Sequence, residues 1–171
     1  MGLSSNTVLH QTNKTSLEYF ITKGGFPLSY CREFLRSTYL TPAAAFPMVC
    51  FSDIPLSELH QHLQRYDDYT IGMTKSWAKS HKLNPVLYFE EQLTFTQSLV
   101  EQFDCAMQKH FNNRGDDDAK HEFFYFLYLL AFSKNYEGEL TTKKVHYDNY
   151  RFSDEREWRY VPQVAEVEEE L

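Results

Sequence analysis

Cysteine is scarce in this chain of 171 residues, and its cysteines form no recognisable pattern. Cys31, Cys50 and Cys105 are odd in number, widely spaced and include no Cys-x-x-Cys pair. Disulfide frameworks and zinc ribbons both depend on characteristic cysteine spacings. The sequence therefore predicts neither, and a reducing cytoplasm is the simplest setting for the protein.

Long hydrophobic runs are also missing. The longest one, residues 123–132, is about half of the roughly 20 residues that a membrane-spanning helix needs. The first residues contain no apolar segment after a basic start, so no secretory signal is indicated. We therefore expect a cytoplasmic protein with no membrane partner and with the 123–132 run inside a buried helix.

Positive charge is in deficit, because 17 Lys and Arg residues face 24 Asp and Glu residues and the net charge is −7. Phosphate neutralisation supplies most non-specific affinity for duplex nucleic acid. The charge balance thus argues against a general duplex-binding module, although a local basic patch stays possible. The best basic patch, at residues 75, 79, 81 and 82, is most simply a solvated helix end.

Motifs for metals and nucleotide phosphates are not found either. His60 and His62 are two residues apart on a predicted helix and diverge by about 200°, so they do not form the i, i+4 pair that shares a zinc ion. Three aspartates at 116–118 lack calcium-loop spacing and suit a helix N-terminus. No Walker loop, dinucleotide fingerprint or nucleophile elbow is present. The sequence predicts no metal site.

Aromatic residues, by contrast, are abundant at 16% of the chain, with 14 Phe and 12 Tyr. An ordinary core needs fewer, so some rings are expected to line a groove or pocket. The length fits one domain, which we place at residues 1–165, followed by an acidic tail at 166–171.

Hydrophobic patterning predicts an α+β chain. Strand-like runs occur at 8–12, 46–52, 69–74 and 85–89 and again between 139 and 164. Helical periodicity or capping signals occur at 16–24, 53–66, 75–81, 92–111 and 119–134. The 119–134 helix is apolar nearly all round, so we expect it to be central.

The segment 152–162 carries two glutamates on what the pattern predicts to be the last strand, at the end of a hairpin. Glu155 and Glu157 would then share one face, while Arg156 and Trp158 point to the other. Two interpretations stay open: a solvated strand end with Arg159 as a salt-bridge partner, or a face that uses the carboxylates on a ligand. Trp158 is expected to pack against the 119–134 helix.

Several of these stretches together resemble the AbiGi family of bacterial abortive-infection proteins and, through it, the ADP-ribosyltransferase-like superfamily. The matching stretches are LHQT at 9–12, GGFPLSYC at 24–31, PMVCFSDIPLS at 47–57, TIGMTKSWA at 70–78, NPVLYF at 84–89 and DEREWRYVP at 154–162. The resemblance implies an ADP-ribosyltransferase-like α+β fold, with split β-sheets and flanking helices that grip NAD, as substrate, in a cleft.

The resemblance also assigns roles to single residues. It matches His10 and Glu157 to the catalytic positions, with His10 also holding the nicotinamide ribose. A fixed carboxylate at Glu157 would stabilise the positive charge that develops on the sugar when nicotinamide leaves. Glu157→Gln should then lower turnover while the protein stays folded. The remaining cofactor-binding candidates are Thr12, Ser52, Tyr30 and Glu155.

Two observations, one departure from the superfamily pattern and one label of the AbiGi family, keep an alternative open. The second strand has Ser52 without a Ser-Thr-Ser run, and AbiGi proteins are commonly labelled antitoxins of a two-gene system. The alternative is therefore a degenerate site in a protein that binds a partner toxin, or a phage or host protein. The acceptor of any ADP-ribose is not specified by the sequence: a protein side chain, a small molecule and a nucleic-acid base all stay open, although the net charge does not indicate nucleic acid.

Overall fold

The computed structural model describes residues 6–162, which form ten β-strands and five α-helices. The strands are β1 (Thr7–Thr12), β2 (Ser29–Phe34), β3 (Ala43–Ser52), β4 (Tyr69–Thr74), β5 (Asn84–Pro85), β6 (Leu87–Phe89), β7 (Ser133–Asn135), β8 (Glu137–Thr141), β9 (His146–Arg151) and β10 (Glu157–Tyr160). The helices are α1 (Lys14–Lys23), α2 (Leu59–Arg65), α3 (Lys75–Ser80), α4 (Thr94–Asn112) and α5 (Asp117–Ala131). This composition confirms the predicted α+β class, and the acidic tail at 166–171 lies outside the described residues.

The chain divides into two compact units. Unit 2 comprises Cys31–Phe46 and Leu87–Tyr136, and unit 1 comprises the rest of the chain. Because the two units are interleaved along the sequence, the single-domain organisation at 1–165 stays a prediction.

A six-stranded sheet contains four strands that lie wholly in unit 1, namely β1, β4, β5 and β10. Its strand order is β4-β1-β3-β10-β5, with β2 paired to β3 off this path. The antiparallel registers place Ser52 opposite Leu9 of β1 and opposite Glu157 of β10. The sheet therefore joins strands from the two ends and the middle of the sequence.

Helix ends follow local capping chemistry. The Asn13 side chain accepts a 3.0 Å hydrogen bond from the Ser16 amide, so Asn13 caps α1, and the helix begins at Lys14, before the predicted start at residue 16. Gly24 ends the same helix at φ 73°, a left-handed conformation that glycine adopts without a Cβ penalty. Asp116 caps α5 and accepts from the Asp118 and Ala119 amides.

Apolar packing in unit 1 covers one face of the sheet. Five buried residues form its centre: Val8, Val49, Phe51, Ala78 and Leu83. Trp158 and Tyr160 pack against this cluster. The prediction that Trp158 packs against the 119–134 helix is therefore wrong, because the tryptophan contributes to the core of unit 1 instead.

The core of unit 2 lies between α4 and α5. Its buried residues are Leu35, Phe89, Val100, Phe103 and Leu130, and the parallel pair β6–β7 belongs to the same unit. Only three residues of α5 are buried, namely Ala119, Leu130 and Ala131. The expectation of a central helix is thus wrong, since α5 is apolar all round but packs on one side only.

The C-terminal strands pair differently from the prediction. The hairpin consists of β8 and β9, and it ends at Arg151. A 3₁₀-helix over Phe152–Glu155 follows, and β10 then pairs with β3 and β5. Within residues 6–162, none of the helices combines the length and apolar character needed to cross a membrane.

Candidate functional site

The register of the sheet separates the predicted site residues between its two faces. Side chains that lie directly opposite each other on antiparallel strands point to the same face. Leu9, Ser52 and Glu157 therefore share one face, and His10, the next residue after Leu9, points to the other. The structure brings Ser52 and Glu157 together but does not bring His10 to them.

Glu157 is held by the guanidinium group of Arg159. Arg159 Nε donates to Glu157 Oε1 at 2.7 Å, and its Nη2 donates to Oε2 at 3.3 Å. The side chains are 6% and 0% exposed. Two like-facing residues of β10 thus form a buried, two-point ion pair. Arg159 is a salt-bridge partner as the first interpretation expects, but the predicted solvated strand end is wrong because both side chains are buried.

Ser52 is bonded to a histidine that the sequence did not single out as a site residue. Its Oγ lies 3.1 Å from Nε2 of His62, which is buried on α2. The His62 ring packs against Tyr66 with their centroids 4.8 Å apart, and the Tyr66 hydroxyl donates to Glu155. The only sequence signal for this partnership is a polar helix that follows β3 closely, so that its side chains can reach back to the strand.

Glu155 does not lie on a strand with Glu157, so the predicted shared face is wrong. It belongs to the 3₁₀-helix, and Arg156 follows at φ 46°, outside the extended region. Because the backbone turns at Arg156, the alternation rule does not connect the two glutamates. The Asp53 amide, which lies within 3.2 Å of the carbonyl oxygens of Glu155 and Arg156, fixes this turn against the end of β3.

A small polar cavity of about 110 Å³ lies beside this network. Its lining includes His62, Arg65, Asp154 and Glu155. One water molecule occupies about 30 Å³ in the liquid, so a cavity of this volume is large enough for a few water molecules or one small polar group. Within residues 6–162 no cluster of three or more His, Cys, Asp or Glu residues is arranged to hold a metal ion.

His10 lies in an aromatic environment on the opposite face. Its Nδ1 is 2.8 Å from the Cys50 carbonyl oxygen, and its ring contacts Phe26 and Phe51 at centroid distances of 5.1 and 5.3 Å. Burial lowers the pKa of His10, since desolvation disfavours the imidazolium, and this effect outweighs the bond to Cys50. His10 is therefore favoured as a neutral ring that packs in the core.

The two remaining candidates lie apart from Glu157. Thr12 is buried at 4% exposure and pairs with Tyr69 of β4. Tyr30 is 79% exposed on β2. Their assigned contacts with NAD stay predictions.

Unit 2 has a second feature of functional interest, an exposed aromatic side of α5. Tyr125 is 67% exposed, Tyr128 is 41% exposed, and Phe124 is half-buried. Residues three and four positions apart lie on one side of a helix, so these rings form a continuous strip. The helix buries Leu130 and packs Phe123 on the core side, while this aromatic strip faces solvent.

Comparisons with known proteins point to one family. A family model described as "Putative abortive phage resistance protein AbiGi, antitoxin" matches residues 26–170. The abortive phage resistance protein AbiGi of Lactococcus lactis subsp. cremoris is 26% identical over 128 residues, which cover 68% of this chain and 51% of that protein. The chain thus spans about half the length of this curated relative. No solved structure matches the chain.

Proposed function

The chain belongs to the AbiGi family of putative abortive phage resistance proteins, and we propose that it acts as an antitoxin that binds and neutralises a partner toxin. The description of the matching family model as an antitoxin supports this proposal. It does not require a reaction at the sheet, and it makes a protein surface the functional part of the molecule.

The observation that carries the proposal is the aromatic strip of α5, which consists of the exposed Tyr125 and Tyr128 and the half-buried Phe124. A helix that is apolar on its solvent side as well as on its core side is unusual for a monomeric protein. Tyrosine and phenylalanine are enriched in protein interfaces, where they bury much area at low entropic cost. The strip therefore has the composition of a contact surface.

The charge of the chain narrows the class of partner. The net charge is −7, and the N-terminal turn of α5 carries the exposed residues Asp117 and Asp118. Opposite potentials across an interface speed association and select partners. We infer a toxin whose contact surface combines an apolar centre with basic residues.

The ion pair between Glu157 and Arg159 also supports the antitoxin proposal, because it weakens the case for catalysis at Glu157. A catalytic carboxylate must face the atoms that react, whereas both oxygens of Glu157 accept from Arg159. The enclosure of the carboxylate supports a structural role for Glu157.

The strip is tested with the double substitution Tyr125→Ser/Tyr128→Ser in cells that co-express a candidate partner toxin. Loss of buried aromatic anchors typically costs about 2 kcal/mol or more each at an interface hot spot. We expect the variant to lose neutralisation and co-purification with the toxin while it stays folded, because both side chains are exposed.

Tyr30→Ser is the matched control, since Tyr30 is 79% exposed and lies outside α5. It should neutralise like the natural chain. Full neutralisation by the Tyr125→Ser/Tyr128→Ser variant would remove α5 from the interface and leave the proposal without its main support.

A second candidate is ADP-ribosyl transfer from NAD to an acceptor, which the superfamily resemblance implies. One observation favours it: Ser52 and Glu157, two of the assigned residues, lie opposite each other on neighbouring strands. NAD at 100 times its dissociation constant would stabilise the native state by about 2.7 kcal/mol. Calorimetry and thermal unfolding at millimolar NAD decide, and we expect no heat of binding and no stabilisation.

A further inference from the structure

Unit 1 contains an open cavity of about 620 Å³ on the aromatic side of its sheet. Ligand-binding pockets in proteins typically measure roughly 300–1,000 Å³, whereas packing voids rarely exceed the size of a water molecule. The cavity is therefore far too large to be a packing defect, and it fulfils the expectation that the surplus of rings lines a pocket.

The lining of the cavity is graded from a buried floor to an exposed rim. Val49, Phe51 and Leu83 on the floor are buried, and Leu28 at the rim is 48% exposed. The aromatic rings that line the cavity, on its floor and its wall, are those of Phe20, Phe26, Phe51, Trp77 and Tyr160. Aromatic walls make favourable stacked and edge-to-face contacts with flat ring systems, so the interior suits a planar apolar group.

The charge of the lining is opposite to that of the chain as a whole. The chain has more acidic than basic residues, with a net charge of −7, yet no Asp or Glu is among the described residues that line this cavity. Among the described residues of the lining, the cationic side chain is that of Lys82, which is exposed at the rim next to the exposed imidazole of His81. This distribution complements a ligand that places an anionic group at the entrance.

The backbone at Lys82 adds an independent argument. Lys82 follows the end of α3 with φ 60°, and the Leu83 amide donates back to the Ala78 carbonyl oxygen at 3.0 Å. Glycine is the usual residue at this left-handed position after a helix, because a Cβ is strained there. The residue at this position is instead a lysine, which places a positive charge at the rim although the backbone there is strained.

We propose that this cavity binds a small aromatic anion, with its ring system against the Phe51 floor and its anionic group at the rim beside His81 and Lys82. The site belongs to unit 1 and is independent of the toxin contact proposed for α5. It requires no covalent chemistry and no metal ion.

The test uses the full chain and two fluorescent probes that differ in charge. Anilinonaphthalene sulfonate is an aromatic anion, and phenylnaphthylamine has the same rings without the sulfonate. We expect saturable binding of one sulfonate probe per chain, with energy transfer from Trp77, which lines the cavity. Absence of saturable binding would overturn the proposal.

Gly25→Phe tests the location of the site. Gly25 lines the cavity, has no left-handed φ, and a Cβ added to it meets no atom within 4 Å. The new ring should therefore fill the cavity mouth and weaken both probes by about tenfold or more. Gly115→Phe is the matched control, because a Cβ at Gly115 also meets nothing within 4 Å and Gly115 does not line the cavity. Equal weakening by the two variants would place the probes elsewhere.

Lys82→Gly tests the role of charge and decides even if Gly25→Phe does not fold. It relieves the left-handed backbone, so the melting temperature should be unchanged or higher. Loss of the rim charge should weaken the sulfonate probe about fivefold, equivalent to about 1 kcal/mol, and leave the neutral probe unaffected. An equal effect on the two probes, or none on the sulfonate, would refute recognition of the anion by Lys82.

Discussion

The two faces of β10 differ in kind, although their residues alternate along four positions of one strand. On one face, Glu157 and Arg159 are polar, buried and bonded to each other. On the other face, Trp158 and Tyr160 pack against an apolar cluster, and Tyr160 lines the open cavity of unit 1. The two charged residues of β10 are thus bonded to each other, whereas the open cavity lies on the apolar face.

This difference changes how the two carboxylates of the segment are interpreted. Two carboxylates on a strand suggest a ligand site when only the sequence is considered. A buried carboxylate that is paired with a guanidinium group, however, has its charge balanced without any ligand. The two proposals of partner and ligand recognition accordingly rest on aromatic surfaces, the strip of α5 and the wall of the cavity.

Breaking the ion pair on the polar face should give the largest effect on stability. Glu157→Gln leaves the fully buried Arg159 charge without its carboxylate, which typically costs about 3–5 kcal/mol. The sequence-based expectation that this variant stays folded is therefore revised to strong destabilisation. The double variant Glu157→Leu/Arg159→Met removes both charges and should recover most of the loss. Urea unfolding of the natural chain, Glu157→Leu, Arg159→Met and the double variant gives the coupling energy.

Glu101→Gln is the matched control for the ion pair, since Glu101 is exposed on α4. It should change the free energy of unfolding by no more than about 0.5 kcal/mol. Additive effects of the two single substitutions would show that Glu157 and Arg159 do not stabilise each other.

Titration of His10 on the aromatic face should give a smaller effect. Burial lowers the pKa of His10 below 6.5, so below about pH 6.5 the unfolded chain takes up a proton more readily than the folded one. The stability is fully present above this pH and decreases as the pH falls toward the pKa of the folded state. His10→Gln, which can still donate to the Cys50 carbonyl, should make the melting temperature less dependent on pH between about 7 and 5.

The exposed His121 on α5 provides the comparison for this measurement. His121→Gln should leave the difference in melting temperature between the two pH values as it is in the natural chain. An unchanged pH dependence of the melting temperature in His10→Gln would show that protonation of His10 does not destabilise the folded state.

Much of the fold could be predicted from residue patterns, and the missed elements have identifiable reasons. Strands β1, β3 and β4 and helices α1, α4 and α5 were indicated by apolar periodicity and capping residues. Strand β2, with the sequence SYCREF, has no alternating pattern, and β7 has only three residues. The turn at Arg156 was not predictable either, because a left-handed conformation is rare for arginine.

The candidate site was harder to predict because it depends on register. A shift of one residue in strand pairing moves every side chain to the opposite face. The sequence predicted His10 on the first strand and Glu157 on the last, but only the pairing of Ser52 with both Leu9 and Glu157 reveals that His10 and Glu157 point in opposite directions. The bond between Ser52 and His62 likewise depends on where α2 lies, which periodicity does not specify.

Phage protection by the double variant Glu157→Leu/Arg159→Met tests the central claim most directly. The claim is that Glu157 stabilises the fold while the protein acts by binding a partner. Efficiency of plating would be measured for cells that carry a candidate partner toxin together with the natural chain or the double variant, after circular dichroism has shown both forms of the chain to be folded. We predict equal protection by the two proteins. A folded double variant that gives no protection would contradict the claim and make the carboxylate of Glu157 part of the active machinery.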